Sequence, residues 1–510
     1  MNTPLRLHRF PGGLPLTGHK AHATREPSRA CPLPPVLILP LGQHAGHAAV
    51  PNVAVSARVA RGQRIARAEG RGAHLHAPAA GVVRAIEDHP VPHASGLPGP
   101  CIVLDVDPAD TATDLLPPLP DWALREPAEL RARIEDAGIV GLGGAAFPTA
   151  DKLGRPVELL VLNGAECEPW IACDEMLLRE RVAAVLEGGR ILARIVRARR
   201  VLLAIEDRMH GALAAAREAL GDAGGIEIAM VPTIYPAGGE RQLIHVLTGA
   251  EVPSGGLPAD LGVLVHNVGT AAAVADAVLR GLPLVERYVS VTGRGVVAPA
   301  TLRVLLGTPV EWLIAQAGGY APGAERLVLG GPMMGIALPT DAVPVAKSCN
   351  CVLVLTADEL RDPAAELPCI RCGECVRVCP ARLLPQQLHW YLRAGDFEQV
   401  EAHALADCIE CGLCAHVCAS HIPLVAWYRW GKTELRVRAE ERGRAEAART
   451  RFEARRARLE REQTERAARL AARRASATAA DAGPDDPIAA ALARAEAKRH
   501  AAPPEDPDAA

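Results

Sequence analysis

Cys369-Ile370-Arg371-Cys372-Gly373-Glu374-Cys375-Val376-Arg377-Val378-Cys379-Pro380 and Cys408-Ile409-Glu410-Cys411-Gly412-Leu413-Cys414-Ala415-His416-Val417-Cys418 hold eight of the chain's 14 cysteines. Both runs have the spacing C-x2-C-x2-C-x3-C. Three thiolates on a tight turn can cap three irons of a cubane, while the fourth, on the helix that follows, points at the other cluster. The spacing therefore predicts two [4Fe-4S] centres. Cys369, Cys372, Cys375 and Cys418 would hold one, and Cys408, Cys411, Cys414 and Cys379 the other. Gly373 and Gly412 let the backbone turn close to sulfide and supply amide donors. Paired C-x2-C is also zinc spacing, but zinc closes with four ligands, and two complete runs of identical internal spacing fit it poorly. Ala419 follows the last cysteine where Pro380 follows the first run, which bears on local helix geometry and not on ligation.

The 510 residues around these runs suffice for three or four domains. A net charge of -3 argues against binding to a phosphate backbone, so no nucleic-acid partner is expected. No stretch of about 18 uninterrupted apolar residues occurs. The best candidate, Leu261 to Leu279, is broken by His266, Asn267, Thr270 and Asp276. Met1 to Phe10 lacks the apolar core and cleavage site of a secretory signal. The expectation is a cytoplasmic chain, in which clustered cysteines are metal ligands before they are disulfides. Cys349 and Cys351 flank a strand-like run and are expected as buried thiols, as are Cys31, Cys101, Cys167 and Cys173.

Residues 1–35 are rich in Pro, Gly and His and read as an irregular arm. Residues 36–107 show short strands broken by turns, among them Val36 to Leu39, Val53 to Val55, Val82 to Ile86 and Ile102 to Leu104. With Gly62-Gln63-Arg64-Ile65 and His76-Ala77-Pro78-Ala79-Ala80-Gly81, this module resembles the barrel-sandwich fold of biotinyl and lipoyl carriers. Those carriers modify a lysine at a hairpin tip. The module has no lysine, so a scaffolding role is expected. A Pro-rich linker leads to residues 121–286, where helical and strand patterns alternate as in a layered α/β domain. Residues 287–340, with a strand at Val289 to Val291, a helix near Thr301 to Ala317 and a strand at Leu327 to Leu329, suggest a small β-grasp-like (SLBB-like) unit. The cysteine runs define a ferredoxin-like α unit over 360–430. Residues 431–510 comprise a charged helix, with Glu440 to Arg444, Glu462 to Arg466 and Glu465 to Arg469 one turn apart, and from 476 a disordered tail.

Clusters pass single electrons and cannot take a hydride, so a soluble donor such as NADH requires a converter, normally a flavin. Gly141-Leu142-Gly143-Gly144-Ala145-Ala146-Phe147-Pro148-Thr149-Ala150-Asp151-Lys152 can cradle a phosphate with amides freed by glycine, Lys152 adding a point charge. It matches neither the Rossmann nor the Walker pattern. Asn163-Gly164-Ala165-Glu166-Cys167-Glu168-Pro169 follows a strand directly, at the edge where α/β sheets bind ligands. These two motifs, with Gly238-Gly239-Glu240-Arg241 and His266-Asn267-Val268-Gly269-Thr270, are similar to the flavin and NADH loops of the NADH-oxidising subunit of respiratory complex I. With the barrel-sandwich module in front and twin clusters behind, residues 1 to about 430 resemble the RnfC/RsxC family of the Rnf (Rsx) ion-translocating electron-transport complexes.

The resemblance implies that Gly141, Gly143, Gly144 and Lys152 hold the FMN phosphate and ribityl chain. Asn163 and Glu166 would contact the flavin, and Gly239, Glu240, His266 and Asn267 would close its far side. Phe147, one of four Phe, would stack on nicotinamide or adenine, with Glu168 near the ribose. Ala165, Cys167 and Arg241 depart from the complex I loops and weaken the carry-over for NADH more than for flavin. It further implies a peripheral subunit on the cytoplasmic face of the inner membrane, held by sibling subunits, relaying electrons between NAD(H), FMN and two clusters, with ferredoxin reached through siblings. Two other readings stay open: a soluble corrinoid reductase, and an electron-wiring adaptor without NADH activity.

Overall fold

The computed structural model describes residues 6–221, 224–360, 365–481 and 487–500. Residues 1–5 of the expected arm, 361–364 ahead of the cysteine runs, and 482–486 and 501–510 of the expected tail lie outside them. The chain divides into two compact units, residues 1–432 and 433–510.

Within the first unit, a four-stranded parallel sheet carries Glu227–Val231, Arg200–Glu206, Leu159–Gly164 and Val263–Asn267 side by side in that order. Its strands are nearly continuous apolar runs because helices cover both faces. The helices Cys173–Val196 and Val268–Leu279 pack on one face, where Leu162, Leu178 and Val274 are buried together. The helix Glu240–Thr248 covers the other, with Leu243 and Val246 against Val161 and Leu202. Gly188 is what allows the close helix pair, since a Cβ there would lie 1.8 Å from the carbonyl oxygen of Ala271. All four strands run the same way, so their carboxyl ends form one edge. Asn163 and Asn267 sit on it side by side.

The module ahead of this sheet consists of an antiparallel four-stranded sheet and a three-stranded one, closed over Leu37, Leu39, Ile65, Leu75, Ile102 and Leu104. The segment Val53 to Val55, expected as a strand, is irregular, and the short strand Val50–Pro51 takes its place. The β-grasp-like unit is a six-stranded mixed sheet that recruits Arg29–Ala30 from the arm and Cys351–Thr356 from beyond its expected limit. The helix expected near Thr301 to Ala317 is a strand, Ala300–Leu305, followed by a helix, Val310–Gln316. Gly307, at φ +87°, and Pro309 break the segment, and the apolar residues before them serve a sheet. Cys349 and Cys351 are buried there.

The arm, although irregular, straps the domains together. The amide of His8 donates to Val246 at 2.8 Å, that of Gly13 to Val378 at 3.1 Å, and Leu14 exchanges both backbone bonds with Tyr235 at 2.9 and 3.0 Å. In the second unit, the helix Leu424–Asp481 continues through the charged segment and Pro487–His500 forms another. Glu440 pairs with Arg444 at 3.5 Å and Glu465 with Arg469 at 3.9 Å, whereas Glu462 turns back to Arg458 at 3.7 Å. Such exposed pairs add only a few tenths of a kcal/mol each, roughly 0.3–0.5. The alanine-rich composition carries the rest of the helix.

Candidate functional site

The two cysteine runs fold alike. Arg371 and Glu410, Gly373 and Gly412, and Arg382 and His421 all take positive φ at matching positions. Each run then enters a one-turn helix, Glu374–Arg377 or Leu413–His416. The runs also exchange their last cysteines. Cys369, Cys372, Cys375 and Cys418 line one cavity of about 180 Å³. Cys379, Cys408, Cys411 and Cys414 line another of about 20 Å³. Cys372 is exposed, whereas Cys411 and Cys414 are buried. Burial pushes the Cys411 thiol up to about 12 and raises Cys408 and Cys379 as well. Four thiols gathered out of water at such cost suit a cationic metal core that stabilises thiolate. The amides of Leu383 and Glu410 donate to the sulfurs of Cys379 and Cys408 at 3.3 and 3.4 Å.

At the carboxyl edge of the parallel sheet, Gly141 donates to the carbonyl of Phe147 at 2.8 Å and closes the glycine-rich stretch into a loop. Leu142 anchors it to Thr270 Oγ1 at 2.9 Å, and Gly143 faces Asn267. Lys152 Nζ lies 2.8 Å from Glu240 Oε1 and 3.1 Å from the Val265 carbonyl, so two residues expected around one ligand are paired with each other. Asn163 Nδ2 donates to the carbonyl of Gly238 at 2.9 Å, tying its loop to Gly239, which caps the helix beginning at Glu240. Asn267 Nδ2 donates to Asp174 at 2.5 Å. His266 is buried and its Nε2 has no partner among the described residues. Burial, then the charge of Lys152, lowers its pKa to about 3, so the ring is neutral. An orphaned neutral nitrogen beside a glycine cradle and a lysine fits a polar, phosphate-bearing ligand such as FMN.

Glu166 is buried and accepts the amide of Asp174 at 3.0 Å, with Lys20 Nζ at 3.4 Å. Lys20, from the arm, also donates to the Ile171 carbonyl at 2.6 Å. Asp174 is raised to about 7 by burial and then by Glu166, and Glu206 to about 7 by burial. Sequence reasoning missed Lys20, Asp174 and Glu206, and the signal was faint: an isolated lysine in a proline-rich arm and two acids at element ends. Glu168 points elsewhere. Its Oε1 accepts the amides of Met333 and Met334 at 2.8 and 3.1 Å. Phe147 lies under the guanidinium of Arg71, 5.7 Å from its ring centre.

The cysteine runs and the sheet edge are in direct contact. Tyr235 donates its hydroxyl to the Cys411 carbonyl at 2.7 Å, and three residues on, Gly238 donates its amide to Cys167 Sγ at 3.2 Å. Gly412 packs against Met333, which Glu168 holds. Arg241 reaches Asp407 at 3.7 Å, one residue before Cys408.

Four family models match in chain order: the RnfC barrel sandwich hybrid domain at residues 8–109, the Nuo51 FMN-binding domain at 134–276, the SLBB domain at 288–337 and the 4Fe-4S dicluster domain at 368–422. The C component of the ion-translocating oxidoreductase complex of Salmonella gallinarum is 44% identical over 96% of this chain and 73% of its own length. The chain belongs to that family. Proteins of the same name from Pseudomonas aeruginosa and Erwinia tasmaniensis are 50% and 47% identical, each over 97% of the chain. The chain spans 66% and 61% of their lengths. The fold is thus the family's multidomain one, and among the described residues no helix is long and apolar enough to cross a membrane.

Proposed function

We propose that the chain is the NAD(H)-handling, electron-relaying subunit of an ion-translocating oxidoreductase complex, holding FMN and two [4Fe-4S] clusters. The observation that carries this is the crossed arrangement of eight cysteines around two cavities, one set bonded through Tyr235 to the loops at the sheet edge. Cys369, Cys372, Cys375 and Cys418 would hold one cluster, and Cys379, Cys408, Cys411 and Cys414 the other. Gly141, Gly143, Gly144 and Lys152 would bind the FMN phosphate and ribityl chain. Asn163, Glu166, Gly239, Glu240, His266 and Asn267 would enclose the rest, with Phe147 toward NAD(H), whereas Glu168 holds the Met333 turn instead. When bound, FMN supplies the conversion between two-electron and one-electron transfer. The chain's part is to hold the Cys411 turn against the sheet edge, keep His266 neutral and leave the Cys372 turn open to solvent, where a redox partner can reach it.

Attachment would be peripheral, through sibling subunits on the cytoplasmic face of the inner membrane. Iron, sulfide and FMN analysis of anaerobically purified protein, with fractionation of cells expressing the full complex, tests this. Eight irons and one FMN per chain on the membrane fraction are expected, whereas zinc, or a chain that stays soluble beside its siblings, would overturn it. The adaptor reading draws on Arg241 and Cys167, which turn to Asp407 and Gly238 and leave less for a nucleotide.

A further inference from the structure

We propose that Lys432 and Glu410 are positioning residues for the buried cluster, two opposed charges clasped over its ligand turn that set its reduction potential and so how readily it passes an electron on. This rests on the reading that Cys379, Cys408, Cys411 and Cys414 hold a [4Fe-4S] cluster. Tyr235 ties the Cys411 turn to the sheet edge, whereas Cys372 of the other set is exposed, so an electron leaving the sheet edge meets the buried cluster first.

The two cysteine runs turn alike but carry opposite charges at the same place. Arg371 and Glu410, each between the first and second cysteine of its run, hold φ of +57° and +58°, a conformation uncommon outside glycine. In the first run Arg371 lies over Trp390, 4.8 Å from the ring centre. In the second run Glu410 is gripped from the long helix. Lys432 Nζ lies 2.8 Å from its Oε1 and Arg429 Nε 3.0 Å from its Oε2. Arg429 and Lys432 are three residues apart in the helix Leu424–Asp481, hence neighbours on one face. Glu410 also lines the cavity of the four buried-cluster cysteines, and its amide donates to Cys408 Sγ at 3.4 Å. Lys432 Nζ donates in addition to the Cys408 carbonyl at 2.5 Å. One ammonium thus holds both a ligand residue and the residue whose amide faces that ligand's sulfur. The side chains of Lys432 and Glu410 are only 27% and 28% exposed, so water screens their charges in part. Reduction adds one negative charge to a cluster. A nearby ammonium and an N–H donor on sulfur favour it, and a nearby carboxylate opposes it. The clasp therefore holds two charges that pull the potential in opposite directions.

The test is a mediated redox titration of the full-length, cluster-loaded protein, followed by paramagnetic resonance, with the exposed cluster as internal control. Lys432→Met should lower the potential of the buried cluster and Glu410→Gln should raise it. Each should change the reduced-to-oxidised ratio at a fixed potential about tenfold, which is about 59 mV for a one-electron couple. Lys432→Arg should restore the wild-type value, and the exposed cluster should keep its potential throughout. Both variants break the same ion pair, so a merely structural clasp would move the potential the same way in both. That result overturns the inference, as does an unmoved potential or an equal shift of both clusters, and the cluster reading then stands. Loss of the buried cluster from both variants also overturns it; where only one variant loses it, the direction of shift in the other decides. If wild type assembles no [4Fe-4S] cluster, the cluster reading falls and the inference with it.

Discussion

Tyr235→Phe removes one oxygen from the contact between the parallel-sheet domain and the cluster unit. Tyr235 is 2% exposed, its hydroxyl donates to the Cys411 carbonyl at 2.7 Å, and its backbone is fixed on both sides by Leu14. Phe keeps the ring and its packing. The change leaves a buried carbonyl without its donor, at a cost of about 1–3 kcal/mol. Because the carbonyl belongs to a ligand turn, the cost falls on the closed form of that turn, and opening should become roughly 5–150-fold more frequent. The assay is anaerobic release of iron to a chelator, with the two clusters followed separately by paramagnetic resonance after dithionite reduction. The cluster assigned to Cys379, Cys408, Cys411 and Cys414 should be lost faster by that factor, and the cluster assigned to Cys369, Cys372, Cys375 and Cys418 at the wild-type rate. Tyr320→Phe, which removes a hydroxyl bonded to Asp341 in the β-grasp-like unit and lines neither cysteine cavity, should not discriminate between the two. Equal rates for both clusters in Tyr235→Phe would refute the reasoning.

Cys379→Ser should abolish the resonance of the buried cluster although Cys379 belongs to the first run, because it lines the cavity of the second; loss of the exposed cluster's resonance would contradict the exchange. Lys152→Gln should weaken FMN binding about ten- to a hundredfold by removing a cation from the glycine cradle, measured by flavin fluorescence quenching in the apoprotein; unchanged affinity would take Lys152 out of the site. Glu206 has a folded pKa raised by burial from 4.5 to about 7, so ionising it costs stability that is absent below pH 4.5, grows between the two values and is complete above 7. Glu206→Gln should therefore stabilise the chain at pH 8 by about 3 kcal/mol and barely at pH 4.5, read from denaturant unfolding at the two values; equal gains at both would show that the carboxylate is not penalised.

The parts legible in the sequence were those encoded by local period or spacing. The runs from Cys369 and Cys408 carry their own geometry, because the turn that places three sulfurs is set by glycines within each run. The strand Leu159–Gly164 and the helix Cys173–Val196 follow from an apolar run and from an amphipathic repeat. What could not be read joins distant residues. Leu14 with Tyr235, Lys20 with Glu166 and Arg71 with Phe147 each depend on how separate domains meet, and no local pattern marks them. The strand Ala300–Leu305 was hidden for a similar reason: its apolar residues suit either element, and its partner Glu286–Thr292 decides. Pro487–His500 is helical where composition suggested disorder, since alanine with Lys and Arg favours helix once a proline starts it.

The central claim, that electrons pass between NAD(H) and both clusters within this chain, is tested most directly by anaerobic titration of the FMN-loaded protein with NADH alone, followed by its visible and paramagnetic resonance spectra. The cluster absorbance should bleach without any added diaphorase, with both resonances developing. A fully loaded protein whose clusters respond to dithionite and not to NADH would contradict it.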